Sequence, residues 1–251
     1  MTAMAEPTDL AIQLYTVRAR LADDLDATLA DLAAIGFRTV EAFDLPTFGG
    51  PLAAALPGLG MTCPSVHAGV LDEPEGSLSS AAAVGAGLVV QPWTEPGRWV
   101  RREDVEAIAA GLNRAAEMAA DQGLRIGYHN HHFELASRID GRHALEVLAD
   151  ALAPEVVLEI DAYWAFAGGA DVAALVRRLG DRVAALHLKD GDGSLDTSRQ
   201  VAAGRGVVPL REVIAAAPPT ALRIVEFDDT AGDLREGITA SRDYLREPIG
   251  G

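Results

Sequence analysis

Short apolar runs alternate with amphipathic segments along the whole chain. Most of these runs are nearly continuous in apolar residues, and a polar residue lies at the end of each run or directly beside it. Such runs are typical of parallel strands that are buried on both faces of a sheet. The pattern predicts eight strands, at residues 10–15, 39–42, 61–67, 87–91, 125–129, 156–160, 183–188 and 222–226.

The segments between the runs have helical periodicity. Leu25, Leu29, Leu32 and Ile35 form one apolar stripe, with Asp23 or Asp24 as the predicted N-cap and Gly36 as the helix end. The same reasoning predicts helices over residues 103–122 and 143–152, from 171 to 180, from Pro209 onward, and through Leu234, Ile238 and Leu245.

Eight alternations of strand and helix in 251 residues match a single-domain (β/α)8 TIM barrel, an α/β fold. The rival, a doubly wound open sheet, normally carries a glycine-rich turn after its first strand, and residues 16–20 contain no glycine. We therefore predict one domain over residues 1–251, with loosely ordered tails at 1–8 and 246–251. The long irregular stretch 190–207 follows a strand, where such loops are usually functional.

Composition limits the partners and the setting. The net charge of −16 disfavours nucleic acid and anionic lipid as partners. One cysteine, Cys63, cannot form an internal disulfide, which predicts a cytoplasmic protein. No signal peptide or membrane-length apolar run is visible, so we expect a soluble protein without a membrane partner. The sequence leaves homo-oligomerisation open.

Polar side chains collect where the predicted strands end. Active groups of a TIM barrel lie at the carboxyl ends of its strands, so this asymmetry predicts an enzyme. The densest group is residues 128–134, which hold three of the six histidines. The strand ends carry Gln13, Tyr15, Glu41, His67, Gln91, His129, His131, Glu134, Glu159, Asp161, His187, Lys189, Glu226 and Asp228. Aromatic rings near strand ends that could stack on a sugar are Trp93, Trp99, Trp164 and Phe166.

Four of these residues predict a metal site. Glu134, Asp161, His187 and Glu226 come from four successive strand ends, spaced by 27, 26 and 39 residues. Carboxylates combined with an imidazole suit one divalent ion such as Mn²⁺, Mg²⁺, Co²⁺ or Zn²⁺. The neighbouring Glu159 and Asp161 would repel each other unless a cation or a proton lay between them.

The chain resembles the sugar phosphate isomerase/epimerase group of xylose isomerase-like TIM barrels. The resemblance is carried by residues 12–18, 36–41, 128–134, 158–161 with Trp164, 187–190, 204–208 and 225–226. It implies one divalent metal held by Glu, Asp, His and Glu, and the last three match Asp161, His187 and Glu226. The family glutamate would fall near Gly127 or Tyr128, so Glu134 is the candidate first ligand and His129 or His131 the second choice.

The resemblance implies proton abstraction next to a carbonyl, through an enediolate. Glu226, His129, His131 and Glu134 are then the candidate catalytic residues. The candidate contacts of a small carbohydrate substrate are Gln13, Glu41, His67, Gln91, Trp164, Lys189 and Arg205. Three activities stay open: sugar isomerisation or epimerisation, elimination from a keto-sugar or cyclitol, and non-catalytic sugar binding. The charge disfavours an endonuclease-IV-like DNA repair enzyme.

Overall fold

The computed structural model describes residues 10–248, and its centre is a closed barrel of eight parallel strands. Each strand pairs with the strand before it and the strand after it, and β8 closes the barrel on β1. This confirms the predicted fold. The strands are β1 Leu10–Gln13, β2 Thr39–Ala42, β3 Thr62–His67, β4 Leu88–Gln91, β5 Arg125–His129, β6 Val157–Asp161, β7 Val183–Leu188 and β8 Leu222–Val225.

Helices surround this barrel and bury their apolar faces against it. Within residues 10–248, no helix combines the length and the apolar character that a membrane span requires. The helices are Arg18–Asp23, Leu25–Ile35, Leu45–Ala55, Pro74–Val84, Arg102–Ala120, Phe133–Ala136, Ala144–Ala151, Ala162–Ala167, Val172–Leu179, Leu210–Ala216 and Leu234–Arg246.

The ends of the predicted helices follow the expected capping chemistry. The Asp24 side chain accepts a hydrogen bond from Ala27 N at the start of Leu25–Ile35, and Gly36 ends that helix with φ 114°. Glycine adopts this left-handed backbone conformation at little cost in free energy because it has no Cβ. Pro209 lies at the N-cap, one residue before its predicted place in the first turn.

The predicted tails fall largely on residues that the structure does not describe. Residues 1–8 and 249–251 lie outside the described range. Of the predicted C-terminal tail, Arg246 is instead the last residue of the final helix. Its Nη2 donates to Gly36 O at 2.9 Å, which ties the end of this helix to the turn before β2.

The barrel interior changes from apolar to polar along its axis. A lower layer contains Ala11, Ala185 and Ile224 on one side, with Leu88, Val90 and Val157 on the other. Gly127 of β5 belongs to this layer, since a Cβ there would lie 3.3 Å from Val90 Cγ2. On five of these strands the residue two positions further along is polar, so the functional site begins directly above a packed apolar layer. These residues are Gln13, His129, Glu159, His187 and Glu226.

One buried carboxylate organises the long loop after β7. Asp190 Oδ1 accepts from Gly191 N at 2.9 Å and from Val208 N at 3.1 Å. Its Oδ2 accepts from Gly204 N at 2.9 Å and from Gly206 N at 3.0 Å. Any side chain at Gly206 would collide with Asp190 Oδ1 and with the backbone of Gly191. The loop is therefore folded around this single side chain.

We expect Asp190→Asn to destabilise the protein, because an amide nitrogen cannot accept the bonds that one carboxylate oxygen accepts. Whichever oxygen the amide nitrogen replaces, two backbone N–H groups would lose their acceptor, at about 1–3 kcal/mol for each one that is buried. Urea unfolding and limited proteolysis within residues 190–208 measure the effect. The control is Asp192→Asn, an exposed residue of the same loop. Equal stability of the two variants would show that Asp190 does not organise the loop.

Candidate active site

A layer of seven polar side chains crosses the upper barrel, and we call it the carboxylate–imidazole layer. It consists of Gln13, Glu41, Ser65, His67, His129, Glu159 and His187. Glu41 of β2 and His187 of β7 show that it spans the interior, because these strands are not neighbours and yet Glu41 Oε2 lies 2.6 Å from His187 Nε2. Gln13 Nε2 and Ser65 Oγ also donate to the Glu41 carboxylate. This engagement fixes Glu41 below the cavity.

Three imidazoles converge on one oxygen of Glu159. His67 Nε2, His129 Nδ1 and His187 Nε2 lie 2.7, 2.9 and 3.0 Å from Glu159 Oε1. Burial would raise the pKa of Glu159, but the charges of His187 and His67 outweigh it and hold that pKa well below its usual range. An ionised carboxylate accepts hydrogen bonds only, so it selects N–H at these ring nitrogens.

His187 lies at the centre of the site. Its Nδ1 is 2.6 Å from Glu226 Oε2, while its Nε2 faces Glu41 and Glu159. Burial alone would lower the pKa of His187, but the carboxylates of Glu159, Glu226 and Glu41 raise it well above the ordinary value. Without a metal the ring is therefore an imidazolium that donates from both nitrogens.

The Lys189 ammonium lies above this layer, among three carboxylates. Its Nζ is 2.9 Å from Asp161 Oδ2, 2.7 Å from Glu226 Oε2 and 2.8 Å from Asp228 Oδ2. Burial alone would lower the pKa of Lys189, but the three carboxylates raise it well above its usual value. Burial raises the pKa of Asp161 to about 6, with Lys189 acting in the opposite direction.

The residues present fit a divalent metal. Asp161, His187 and Glu226 each offer a ligand atom, and these atoms lie within 4.8 Å of one another. Asp161 Oδ1 already accepts a hydrogen bond from Trp164 N at 2.8 Å, so Oδ2 is the Asp161 oxygen that is available to a metal. Because Glu41 engages His187 Nε2, the other nitrogen of His187 is directed toward Glu226. Such a carboxylate–imidazole contact orients metal-binding histidines.

His129 is directed toward the same group. Its Nδ1 contacts Glu159, and its Nε2 lies 3.8 Å from Asp161 Oδ2. Burial lowers the pKa of His129 well below its usual value, so the ring is neutral and can be a ligand. A second, deeper set of residues that could hold an ion is His67, His129, Glu159 and His187.

The structure does not bring Glu134 to the other three candidate ligands. β5 ends at His129, and the chain then turns into the helix Phe133–Ala136, so Glu134 lies on this helix and not on the strand. Tyr128 Oη donates to Glu134 Oε1 at 2.8 Å, and His131 N donates to Oε2 at 2.9 Å. Burial raises the pKa of Glu134 to about 8. Within residues 10–248 this geometry favours His129 over Glu134 as the fourth ligand.

A cavity of about 300 Å³ opens above the cluster. One wall is charged and carries imidazoles, and the other is aromatic. Tyr15 and Trp93 remain 39% and 47% exposed there, and the Arg18 guanidinium lies over the Tyr15 ring at 4.2 Å from its centroid. The cavity is lined by Tyr15, Phe43, Asp44, His67, Pro92, Trp93, His129, His131, Lys189, Glu226 and Asp228.

The predicted substrate contacts fall in different places. His67 and Lys189 line the cavity. Gln13 and Glu41 are fully buried in the carboxylate–imidazole layer, so they support the site and do not line the cavity. Gln91 is bound to backbone, accepting from Leu71 N and donating to Trp93 O.

Two further predicted contacts lie beside the cavity or outside it. Trp164 is buried next to His131 and His132, with Lys189 Nζ 5.5 Å from its ring. Arg205 is exposed and lines a separate open depression of about 630 Å³ on the loop after β7. This depression has no imidazole in its lining. The prediction for Arg205 therefore finds no support in the geometry.

Sequence reasoning missed Phe43, which forms the aromatic wall together with Tyr15 and Trp93. Phe43 follows β2, where the carboxyl-end rule applies to aromatic side chains as well as to charged ones. Asp228 is one of the polar residues predicted at the strand ends, but its pairing with Lys189 was not predicted. Trp93 lines the cavity, where the sequence predicts a ring that could stack on a sugar.

Comparisons with known proteins agree with this fold. A family model described as xylose isomerase-like TIM barrel matches residues 29–247. No curated protein sequence gives a significant match to the chain.

Several solved structures have the same fold. A sugar phosphate isomerase/epimerase from Parabacteroides distasonis superposes with a TM-score of 0.82 at 21% identity, over 99% of this chain and 97% of that one. The IolI protein with a bound zinc atom gives 0.73 at 16% identity, over 94% and 96% of the two chains. The probable 3-DHS dehydratase AsbF from Bacillus anthracis gives 0.70 at 13%, over 94% and 98%. At these identities the likeness shows the fold alone.

We expect Asp161→Ala and His187→Ala to weaken Co²⁺ binding by roughly 100-fold or more, since even residues that only orient ligands contribute about 10–100-fold. Equilibrium dialysis with metal analysis measures the affinity. His129→Gln should weaken binding, whereas Glu134→Gln should retain it. The reverse result for this last pair would make Glu134 the fourth ligand, and full occupancy in both alanine variants would exclude the site.

Proposed function

The chain belongs to the family of xylose isomerase-like TIM barrels, and on this premise we propose that it is a divalent-metal-dependent sugar isomerase or epimerase. The proposed reaction abstracts a proton next to a carbonyl and returns it through an enediolate. The observation that carries the proposal is the convergence of Asp161, His187 and Glu226 at the base of a cavity large enough for a sugar.

The proposed metal ligands are Asp161, His187 and Glu226, with His129 as the fourth. When bound, the ion would supply Lewis-acid polarisation of the substrate's carbonyl and hydroxyl oxygens. Glu41 and Glu159 would keep the rings of His187 and His129 oriented, because each carboxylate engages the nitrogen that the metal does not use.

His131 is the proposed proton-transfer residue. It lines the cavity, and its buried Nδ1 has no hydrogen-bond partner within the described residues. Burial, and then the nearby Lys189 ammonium, lower the pKa of His131 to about 4. The ring is therefore neutral at physiological pH and can accept a proton from carbon. Delivery of a proton to the opposite face by a second group gives an epimer, and return of a proton to the adjacent carbon gives an isomer.

The two walls of the cavity favour a carbohydrate. Lys189 and Asp228 offer a cationic donor and an anionic acceptor for hydroxyl groups on one side. Tyr15, Phe43 and Trp93 offer apolar ring faces on the other side, which suit the C–H face of a sugar. A substrate held between these walls would present its polar edge to the proposed metal ligands.

Elimination from a keto-sugar or cyclitol is the second candidate. Lys189 favours this reaction, because its buried ammonium is a proton donor within the same cavity and could protonate a leaving oxygen. Proton abstraction by His131 would be common to both reactions, so they differ only in the fate of the proton and of the β-oxygen. A sugar-binding protein without turnover is the third candidate.

We expect the Mn²⁺-loaded protein to incorporate solvent deuterium next to the carbonyl of a ketose in D₂O, because the abstracted proton exchanges before its return. NMR detects both the label and the new epimer or isomer. EDTA should abolish exchange, and added Mn²⁺ should restore it. Release of an alcohol from 3-keto-glucosides without exchange into ketoses would identify elimination, and bound metal without any turnover would identify the sugar-binding protein.

We expect His131→Gln to lower kcat by about 10²–10⁴-fold, the usual contribution of general acid–base catalysis. Metal affinity should not change, because His131 is not in the proposed ligand set. His132→Gln is the matched control, since the neighbouring ring does not line the cavity. Equal kcat values for the two variants would exclude His131 as the proton-transfer group.

A further inference from the structure

Lys189 contacts the same carboxylates that would bind the metal. We propose that Lys189 is a resident counter-cation that competes with the divalent ion for Asp161 and Glu226 and thereby sets the affinity of the site. The inference rests on the metal-binding part of the proposed function. It assigns to this lysine a role in metal loading, in addition to any contact with substrate.

Lys189 and a divalent ion would compete because they would contact the same carboxylate oxygens. Asp161 Oδ1 is committed to Trp164 N, so Oδ2 is its available ligand atom, and that atom lies 2.9 Å from Lys189 Nζ. Glu226 Oε2 faces His187 Nδ1 at 2.6 Å and Lys189 Nζ at 2.7 Å. The ammonium therefore contacts the two carboxylate oxygens that point into the proposed metal site.

The contacts of the Lys189 ammonium with Asp161 and Glu226 become unfavourable once a metal is bound, because the two cations repel each other. The Lys189 side chain is only 1% exposed, and little water screens it from a divalent ion that shares its oxygens. Repulsion between the two cations is strong at such distances and at low dielectric. Without a metal, the same ammonium is favourable, because it compensates carboxylates that would otherwise repel one another.

Asp228 provides a position to which Lys189 can withdraw. The contact between Lys189 Nζ and Asp228 Oδ2, at 2.8 Å, is both an ion pair and a hydrogen bond, and Asp228 is not one of the proposed metal ligands. Gln200 holds Asp228 in place, donating from Nε2 to its Oδ2 at 2.7 Å and accepting from its backbone N at 2.8 Å. Metal entry would therefore shift the ammonium from three carboxylates toward this one.

The test is Lys189→Met, which keeps an unbranched side chain and removes the charge. We expect the Co²⁺ dissociation constant of the full chain to fall by about tenfold or more, because a competing charge is gone. The melting temperature of the metal-free protein should fall, and the increase produced by Co²⁺ should grow. Unchanged or weaker Co²⁺ binding would overturn the proposal. Lys189→Gln replaces this variant if Lys189→Met does not fold.

Asp228→Asn gives an independent test with the opposite sign. Lys189 would lose its alternative partner and stay on Asp161 and Glu226, so Co²⁺ should bind more weakly. The double variant separates this from direct ligation by Asp228. Under the proposal, Asp228→Asn has no effect once Lys189 is methionine, and a persistent loss would contradict it. Absence of Co²⁺ binding by the unmodified protein would instead refute the proposed function.

Discussion

The site depends on one constraint, which is that every charge buried in the barrel mouth must be paired. His187 meets it by contacting carboxylates through both ring nitrogens, Glu41 and Glu159 on one side and Glu226 on the other. Removing one partner of such a buried set leaves an uncompensated charge, which is strongly destabilising. The polar layer is therefore organised as a unit. The apolar layer below it and the helix contacts outside must supply the stability of the barrel.

All eight strands were predictable because a parallel strand buried on both faces needs an apolar residue at nearly every position. The helices Leu45–Ala55 and Pro74–Val84 were not predicted. Both contain proline and glycine, which lower intrinsic helix propensity, and packing of side chains such as Phe48 and Leu78 overrides it. A short hairpin of Arg138–Ile139 and Arg142–His143 was also missed, although Asp140-Gly141, with φ values of 50° and 80°, has the sequence of its tight turn.

The sequence predicts which side chains of the candidate site point into the barrel, but it does not predict how deeply each one is buried. Alternation along a strand indicates which side chains enter the barrel, and it placed Asp161 and His187 together. It does not indicate that, within the carboxylate–imidazole layer, Glu41 is fully buried while His67 lines the cavity. Beyond a strand end the rule fails altogether. Glu134 follows a turn, and its direction is set by hydrogen bonds to Tyr128 and His131 that no sequence period encodes.

The residues at the bottom of the site and those at its top have different roles. The lower carboxylates hold imidazole rings in one orientation, so the upper groups can bind a cation without reorganising their supports. What changes between the metal-free and the metal-loaded protein is then confined to the upper groups, where Lys189 can exchange Asp161 and Glu226 for Asp228. Because Gln200 connects Asp228 to the loop after β7, the loop that Asp190 organises also determines where this ammonium can go. The buried carboxylate of Asp190 and the cation balance of the site are thus physically linked.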